Sequence, residues 1–228
     1  MKKFLSILLT LAMLVSLTAF AEDAAPTVYV SVSDDTGALV LAYVPVTVTD
    51  ADGDGTLTIC DALTAAHAAY HPDGAAAFLA QESEWGLSLV KLWNVENGGS
   101  YGYVVNDASA WSLLDPVRDG DHVKAYVYTD LAAYSDLYCY FTAPVAAAAV
   151  NAEVSLTLSA NGYDEAWNPV TFPVQGAVIT VNGEKTEAVT DENGTVTLTF
   201  PEAGVYTLSA VSSDMTLVPP VCILTVAE

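Results

Sequence analysis

The chain is 228 residues long and carries 28 acidic against 6 basic residues, a net charge of −22 at neutral pH. An excess of that size repels phosphate backbones and anionic headgroups, which excludes nucleic acid and an anionic membrane face as partners. Hydrophobic residues are 53% of the sequence, enough at this length to fill one large or two small cores.

Residues 1–21 read as a secretory signal. Lys2 and Lys3 form a basic start, and Phe4 to Leu17 is an apolar run too short to span a bilayer comfortably. Ala19-Phe20-Ala21 is a small-x-small cleavage site. No cysteine stands at that site, so no lipid anchor is expected. From Glu22 onward four basic residues remain (Lys91, Arg118, Lys124 and Lys185) against all 28 acidic ones, a net charge of −24. The expected product is secreted, with no membrane span after signal cleavage, and is either released or held at the cell surface by another molecule. Cys60, Cys139 and Cys222 lie in apolar or aromatic settings and are expected as buried free thiols. An odd count allows at most one internal bridge, and a Cys139–Cys222 pair stays open.

Thr27 to Ser33 alternates as T-V-Y-V-S-V-S, the pattern of a strand with one buried face. Asp34-Asp35-Thr36-Gly37 is a turn, and Ala38 to Thr49 is a second strand in which Pro45 marks an edge or a bulge. Residues 50–61, D-A-D-G-D-G-T-L-T-I-C-D, follow. They put side-chain oxygens at loop positions 1, 3, 5, 9 and 12 and a glycine at position 6, the spacing of a twelve-residue calcium loop. The expected Ca2+ ligands are Asp50, Asp52, Asp54, the Thr56 carbonyl, Thr58 directly or through water, and Asp61. Thr58 and Asp61 also have the spacing of a helix capping box, so Asp61 has a structural task without metal. Residues 58–70 are then a helix, with Ile59, Leu63, Ala66 and Tyr70 on one face. His67 and His71 stand four apart on it, a spacing open to zinc, but no third ligand accompanies them and a packing role is expected.

Pro72-Asp73-Gly74 ends the helix. Strands are expected at 88–95, 101–105 and 122–128, with a turn at Asn97-Gly98-Gly99 and a loop over 115–121. The order β-β-α-β-β with a further strand is that of a β-grasp domain, over residues 22–143. Ala143 to Asn151, with Pro144 and a run of alanines, reads as a linker. Residues 144–228 then show short strands separated by Asn182-Gly183, Asn193-Gly194 and Ala203-Gly204, the cadence of an immunoglobulin-like β-sandwich. The expected fold class is therefore α+β: a β-grasp domain followed by an all-β immunoglobulin-like sandwich.

Three resemblances accompany this reading. The loop and helix at 50–70 resemble one repeat of a dockerin, D-x-D-x-D-G-x-x-x-x-x-D followed by an alanine- and leucine-bearing helix; dockerins carry two such repeats and this sequence one. Residues 101–107, Y-G-Y-V-V-N-D, and 119–126, D-G-D-H-V-K-A-Y, resemble the transcobalamin-like C-terminal β-grasp family of secreted bacterial proteins, with Asp107 where that family's turn has glycine. That resemblance implies the fold and, through vertebrate relatives, a corrinoid-like ligand. Residues 173–183 and 190–200 resemble immunoglobulin-like and carboxypeptidase-regulatory-like surface modules, which implies a spacer or adhesion role.

Aromatic residues at alternating strand positions usually form core, but they also stack on sugars or flat ligands. The candidate ligand-binding residues are Trp93, Tyr101, Tyr103, Asn106 and Trp111, with Trp85 nearby. Asp191 to Gly194 is a hairpin turn, too short for a metal loop. No GxSxG, Walker loop or paired-carboxylate signature is present, and no enzyme is expected. The sequence reads as a secreted or cell-surface, non-catalytic binding or adhesion protein with a structural calcium site. The alternatives are a small-molecule, corrinoid-like capture protein and a carbohydrate-binding module, so the partner is a small molecule, a glycan or a surface protein.

Overall fold

The alternation of Thr27–Ser33 becomes strand β1, with Val28, Val30 and Val32 wholly buried. The computed structural model describes residues 25–228, so the signal segment 1–21 lies outside the described residues. The Asp34 carboxylate accepts from the Thr36 and Ala38 N–H groups and turns the chain into β2, Leu39–Thr47. β2 is an edge strand, where Pro45 withdraws no ladder donor from a second neighbour.

Helix α1, Ile59–Tyr70, starts at a complete capping box: Thr58 Oγ1 accepts from Asp61 N–H and the Asp61 carboxylate accepts from Thr58 N–H. Its face of Ile59, Ala62, Leu63 and Ala66 is buried against Val28, Val30 and Val32. Tyr70 lies at the rim, its hydroxyl donating to Pro45 O at 2.9 Å. After a 3-10 turn at Gly74–Ala77 come the hairpin β3 (Leu79–Ser83) and β4 (Gly86–Lys91), then β5 (Tyr101–Val105), β6 (Ala108–Ser109) and β7 (His122–Val127). The main sheet runs β2-β1-β7-β5-β6, with β1 and β7 parallel at its centre.

The second unit begins before the expected linker. Its strands are β8 (Leu137–Phe141), β9 (Val145–Ala149), β10 (Glu153–Tyr163), β11 (Pro169–Pro173), β12 (Val178–Val181), β13 (Glu184–Val189), β14 (Thr195–Thr199), β15 (Gly204–Val211), β16 (Leu217–Val218) and β17 (Cys222–Ala227). One sheet runs β11-β10-β8-β16 with β14 also on β10; the other runs β13-β12-β15-β17-β9. Leu156, Leu158 and Phe141 of the first face Ile179, Leu208 and Leu224 of the second in one core, which makes a β-sandwich.

Two expectations are corrected. The chain is not an α+β β-grasp domain ahead of an immunoglobulin-like sandwich. Its described residues form a mostly-β structure of four sheets, in which one 12-residue α-helix stands among seventeen strands. One helical face covers one side of one sheet, and the second core lies between two facing sheets with no helix. Residues 143–151 are not a linker either. Val145–Ala149 pairs in parallel with β17, because alanines at alternate positions are thin enough to lie on the sandwich edge, with Ala146 and Ala148 against the core. Likewise the strand expected over 88–95 ends at Lys91, where Trp93 and Asn94 take left-handed backbone angles. All three thiols are free, with Cys139 and Cys222 buried.

His67 and His122 are buried and neutral. Burial holds His67 at about 4, and burial with the nearby Lys124 charge holds His122 at about 4, against 6.5 for a free imidazole. Between those values the unfolded chain takes up protons that the folded chain refuses, so stability falls as pH drops through that window. Urea unfolding between about pH 7 and about pH 5.5 should show a loss of about 2 kcal/mol, above the range in which ordinary carboxylates titrate.

Candidate functional site

The acidic loop folds around its own carboxylates. Asp50 accepts from Gly53 N–H at 2.7 Å, Asp54 N–H at 3.2 Å and Gly55 N–H at 2.8 Å. Asp52 accepts from Asp54 N–H, and Asp54 from Thr56 N–H at 2.7 Å. Gly53 and Gly55 supply left-handed angles (φ +77° and +88°) that let successive N–H groups turn inward. The result brings a carboxylate oxygen from each of Asp50, Asp52 and Asp54 within 4.8 Å of one another, a cluster that could hold a metal ion and that is mostly exposed.

The charges respond to that crowding. The Gly55 N–H leads the contacts that hold the Asp50 carboxyl below the usual range. Asp54 N–H draws Asp52 down, but desolvation and the negative charges of Asp54 and Asp61 outweigh it, and the Asp52 carboxyl is raised. A cation would relieve that repulsion. Asp61, the expected closing carboxylate, is not part of that cluster of three. Asp61 accepts from Ala51 N–H, Thr58 N–H and Thr58 Oγ–H, and Thr58 is spent on that cap. Thr56 is exposed at the loop's end.

The aromatic candidates divide. Trp93 is half-buried against both helix histidines: its N–H donates to His67 Nε2 at 3.1 Å, and its ring lies 5.2 Å from His67 and 4.7 Å from His71. His67 Nδ1 donates to Leu63 O, which fixes the tautomer. Both histidines therefore pack. Asn106 is structural too, accepting from His122 N–H and donating to Asp121 in a left-handed turn. Tyr101 and Tyr103 lean toward the helix side of their sheet and border two separate grooves.

The larger groove is a cleft of about 850 Å³ where the two units meet. Tyr126, Tyr128, Tyr138, Tyr140, Tyr163 and Asn161 line it, as do the expected site residues Tyr101, Tyr103 and Asn106. Its tyrosines form a ladder across the junction: ring centroids are 5.4 Å apart for Tyr128–Tyr126, 6.1 Å for Tyr126–Tyr138 and 6.1 Å for Tyr138–Tyr140. Tyr126 can lie flat because its partner on β5 is Gly102, where a Cβ would fall 2.1 Å from the ring. Burial pushes the Tyr126 and Tyr138 hydroxyls up, so both stay protonated as donors.

Asp107 ties this junction. Its carboxylate accepts from Tyr138 OH at 2.7 Å and its carbonyl from Asn161 Nδ2 at 2.8 Å, so one turn residue of the first unit holds two strands of the second. Beside it Lys124 is fully buried, its ammonium donating to Pro219 O and lying 5.0 Å from the Tyr138 ring centroid. Burial lowers this lysine to about 8, against the opposing pull of Cys139 and Asp107. Asp107 is not among the expected site residues. Its signal was an aspartate, at φ +63°, in a turn position that favours glycine.

No protein-family model matches the chain, and no curated protein sequence matches it. Among solved structures, one that aligns is the crystal structure of Dscam1 isoform 4.44, N-terminal four Ig domains, at 11% identity and a TM-score of 0.27. The alignment covers 65% of this chain and 32% of that one, so the chain spans about a third of that structure's length. A likeness at that TM-score carries no argument for fold or function.

Removing the Asp107 carboxylate leaves the Tyr138 hydroxyl buried without a partner. Asp107→Ala should cost about 2 kcal/mol in urea unfolding. Asp107→Asn, which keeps an acceptor and tolerates the left-handed angle, should cost about half of that.

Proposed function

We propose that this chain is a secreted or cell-surface, non-catalytic binding or adhesion protein whose acidic loop holds a structural calcium ion. The observation that carries the calcium assignment is the convergence of Asp50, Asp52 and Asp54, each already oriented by the loop's own N–H groups. Three hard oxygens at a Gly-turned loop suit a hard cation, and backbone carbonyls and water complete such shells. The ion would offset the repulsion that raises Asp52 and would stiffen the approach to the Thr58 cap. The secretory signal and the acidity support an extracellular setting, where calcium is abundant. Binding as the task is supported by two open grooves, one at the junction and one on the first unit.

Calcium at about 10 mM should raise Tm by about 5 °C over the chelated protein, given a dissociation constant of about 10⁻⁴ to 10⁻³ M. Asp52→Asn should abolish that rise. A melting temperature indifferent to calcium would sink the assignment.

The junction cleft favours a second reading, capture of a small, flat, corrinoid-like ligand between tyrosine faces. Mixing the protein with cobalamin should then shift the cobalamin visible spectrum and quench tyrosine fluorescence. Unchanged spectra would remove this reading and leave the calcium brace untouched.

A further inference from the structure

Trp85 and Trp111 are 89% and 96% exposed, the two most exposed large apolar side chains among the described residues. They border one groove of about 700 Å³ on the first unit, away from the junction, within the usual range of about 300–1,000 Å³ for small-ligand sites. We propose that this groove binds neutral oligosaccharide, with pyranose rings stacked on the two indoles.

The fold does not account for these two side chains. An indole left in water forgoes the stabilisation of burying a large apolar ring, and a pair bordering one groove forgoes it twice. Yet both are held from below. Trp85 is at the tip of the β3–β4 hairpin, where its N–H donates to Ser83 Oγ at 3.1 Å. Ser83 Oγ in turn bonds Gly86 O at 2.8 Å and Ser88 Oγ at 2.9 Å. Gly86, at φ +95°, permits the tight turn. Trp111 N–H donates to Asp115 Oδ2 at 2.7 Å, and Ser112 N–H to the same oxygen at 3.3 Å. Both indoles therefore stand on hydrogen-bonded turns, with little backbone freedom left to lose on binding.

The walls between them are mixed, with Ser83, Ser88, Ser112 and Glu96 beside apolar residues such as Leu87 and Val90. Hydroxyls and a carboxylate are the partners that sugar hydroxyls use, while the C–H face of a pyranose covers an indole. Charge decides which sugars fit. Lys91 is already paired with Glu96 of the groove at 3.2 Å, and the chain is strongly acidic. Uronic, sialylated or sulfated glycans would meet repulsion, so the ligand is neutral. The proposal rests on the non-catalytic binding reading above but needs neither the calcium loop nor the junction cleft.

The test titrates the full chain from Glu22 with cellohexaose, mannohexaose and xylohexaose, and with polygalacturonate as the anionic comparison. It reads calorimetry and tryptophan emission. At least one neutral hexasaccharide should bind saturably. Trp85→Ala and Trp111→Ala should each weaken that binding by about tenfold or more with Tm unchanged, since neither side chain is buried. Trp167→Ala, in the second unit, should change nothing. Absence of saturable binding to all three sugars overturns the proposal. So does binding retained in the Trp85→Ala/Trp111→Ala double variant, or polygalacturonate binding as tightly. A self-association abolished by the tryptophan variants, with no sugar bound, would also overturn it, in favour of a protein partner. Sugars recovered uncut keep the non-catalytic reading; shortened sugars would overturn that reading and leave the groove standing.

Discussion

Strand His122–Val127 is buried at every position, and the rest of the molecule is arranged around that constraint. A strand alternates its side chains, so burial on both faces demands two different solutions. Val123, Ala125 and Val127 face helix 59–70 and are covered by apolar packing. His122, Lys124 and Tyr126 face the other way, and each needs a polar partner out of water. His122 finds Ser31 Oγ at 2.9 Å; Lys124 finds Pro219 O; Tyr126 joins the tyrosine ladder. Among the described residues no buried side-chain polar atom is left without a partner.

A buried ammonium has a large desolvation cost, and among the described residues no carboxylate forms a salt bridge with it to offset that cost. Lys124 relies on a carbonyl of the second unit and on the Tyr138 ring instead. Its environment is complete only when the two units are docked. The junction is thereby specified by geometry, and the tyrosine cleft is a consequence: the same rings that shield Lys124 leave their outer edges toward solvent. Asp107 supports the arrangement from the turn after Val105, where its carboxylate and its carbonyl each hold one strand of the sandwich.

The acidic loop depends on a different economy. Each of its carboxylates is already hydrogen-bonded to backbone, which orients the oxygens without a metal, while Asp61 is committed to the helix start. The loop and the helix are joined through one side chain, so stiffening one end steadies the other. The two exposed tryptophans follow the same local logic, held by Ser83 and Asp115 and not by core packing.

Sequence alone determined what is local. The alternation of Thr27–Ser33, the Thr58–Asp61 cap, the helix over Ile59–Tyr70 and the D-x-D-x-D-G turn all follow from side chains within a few residues of one another, and the structure has each of them. The tertiary structure decided what depends on distant partners. The balance of the chain is mostly β because residues such as Val145–Ala149 become strand only against Cys222–Ala227, a pairing no local pattern encodes. It separated Trp93, packed on two histidines, from Trp85 and Trp111, left in solvent, though all three are equally apolar as letters. It also gave Asp107 a task that exists only once Tyr138 and Asn161 arrive from the other unit. Burial and docking are properties of the assembled surface, and spacing along the chain carries little information about either.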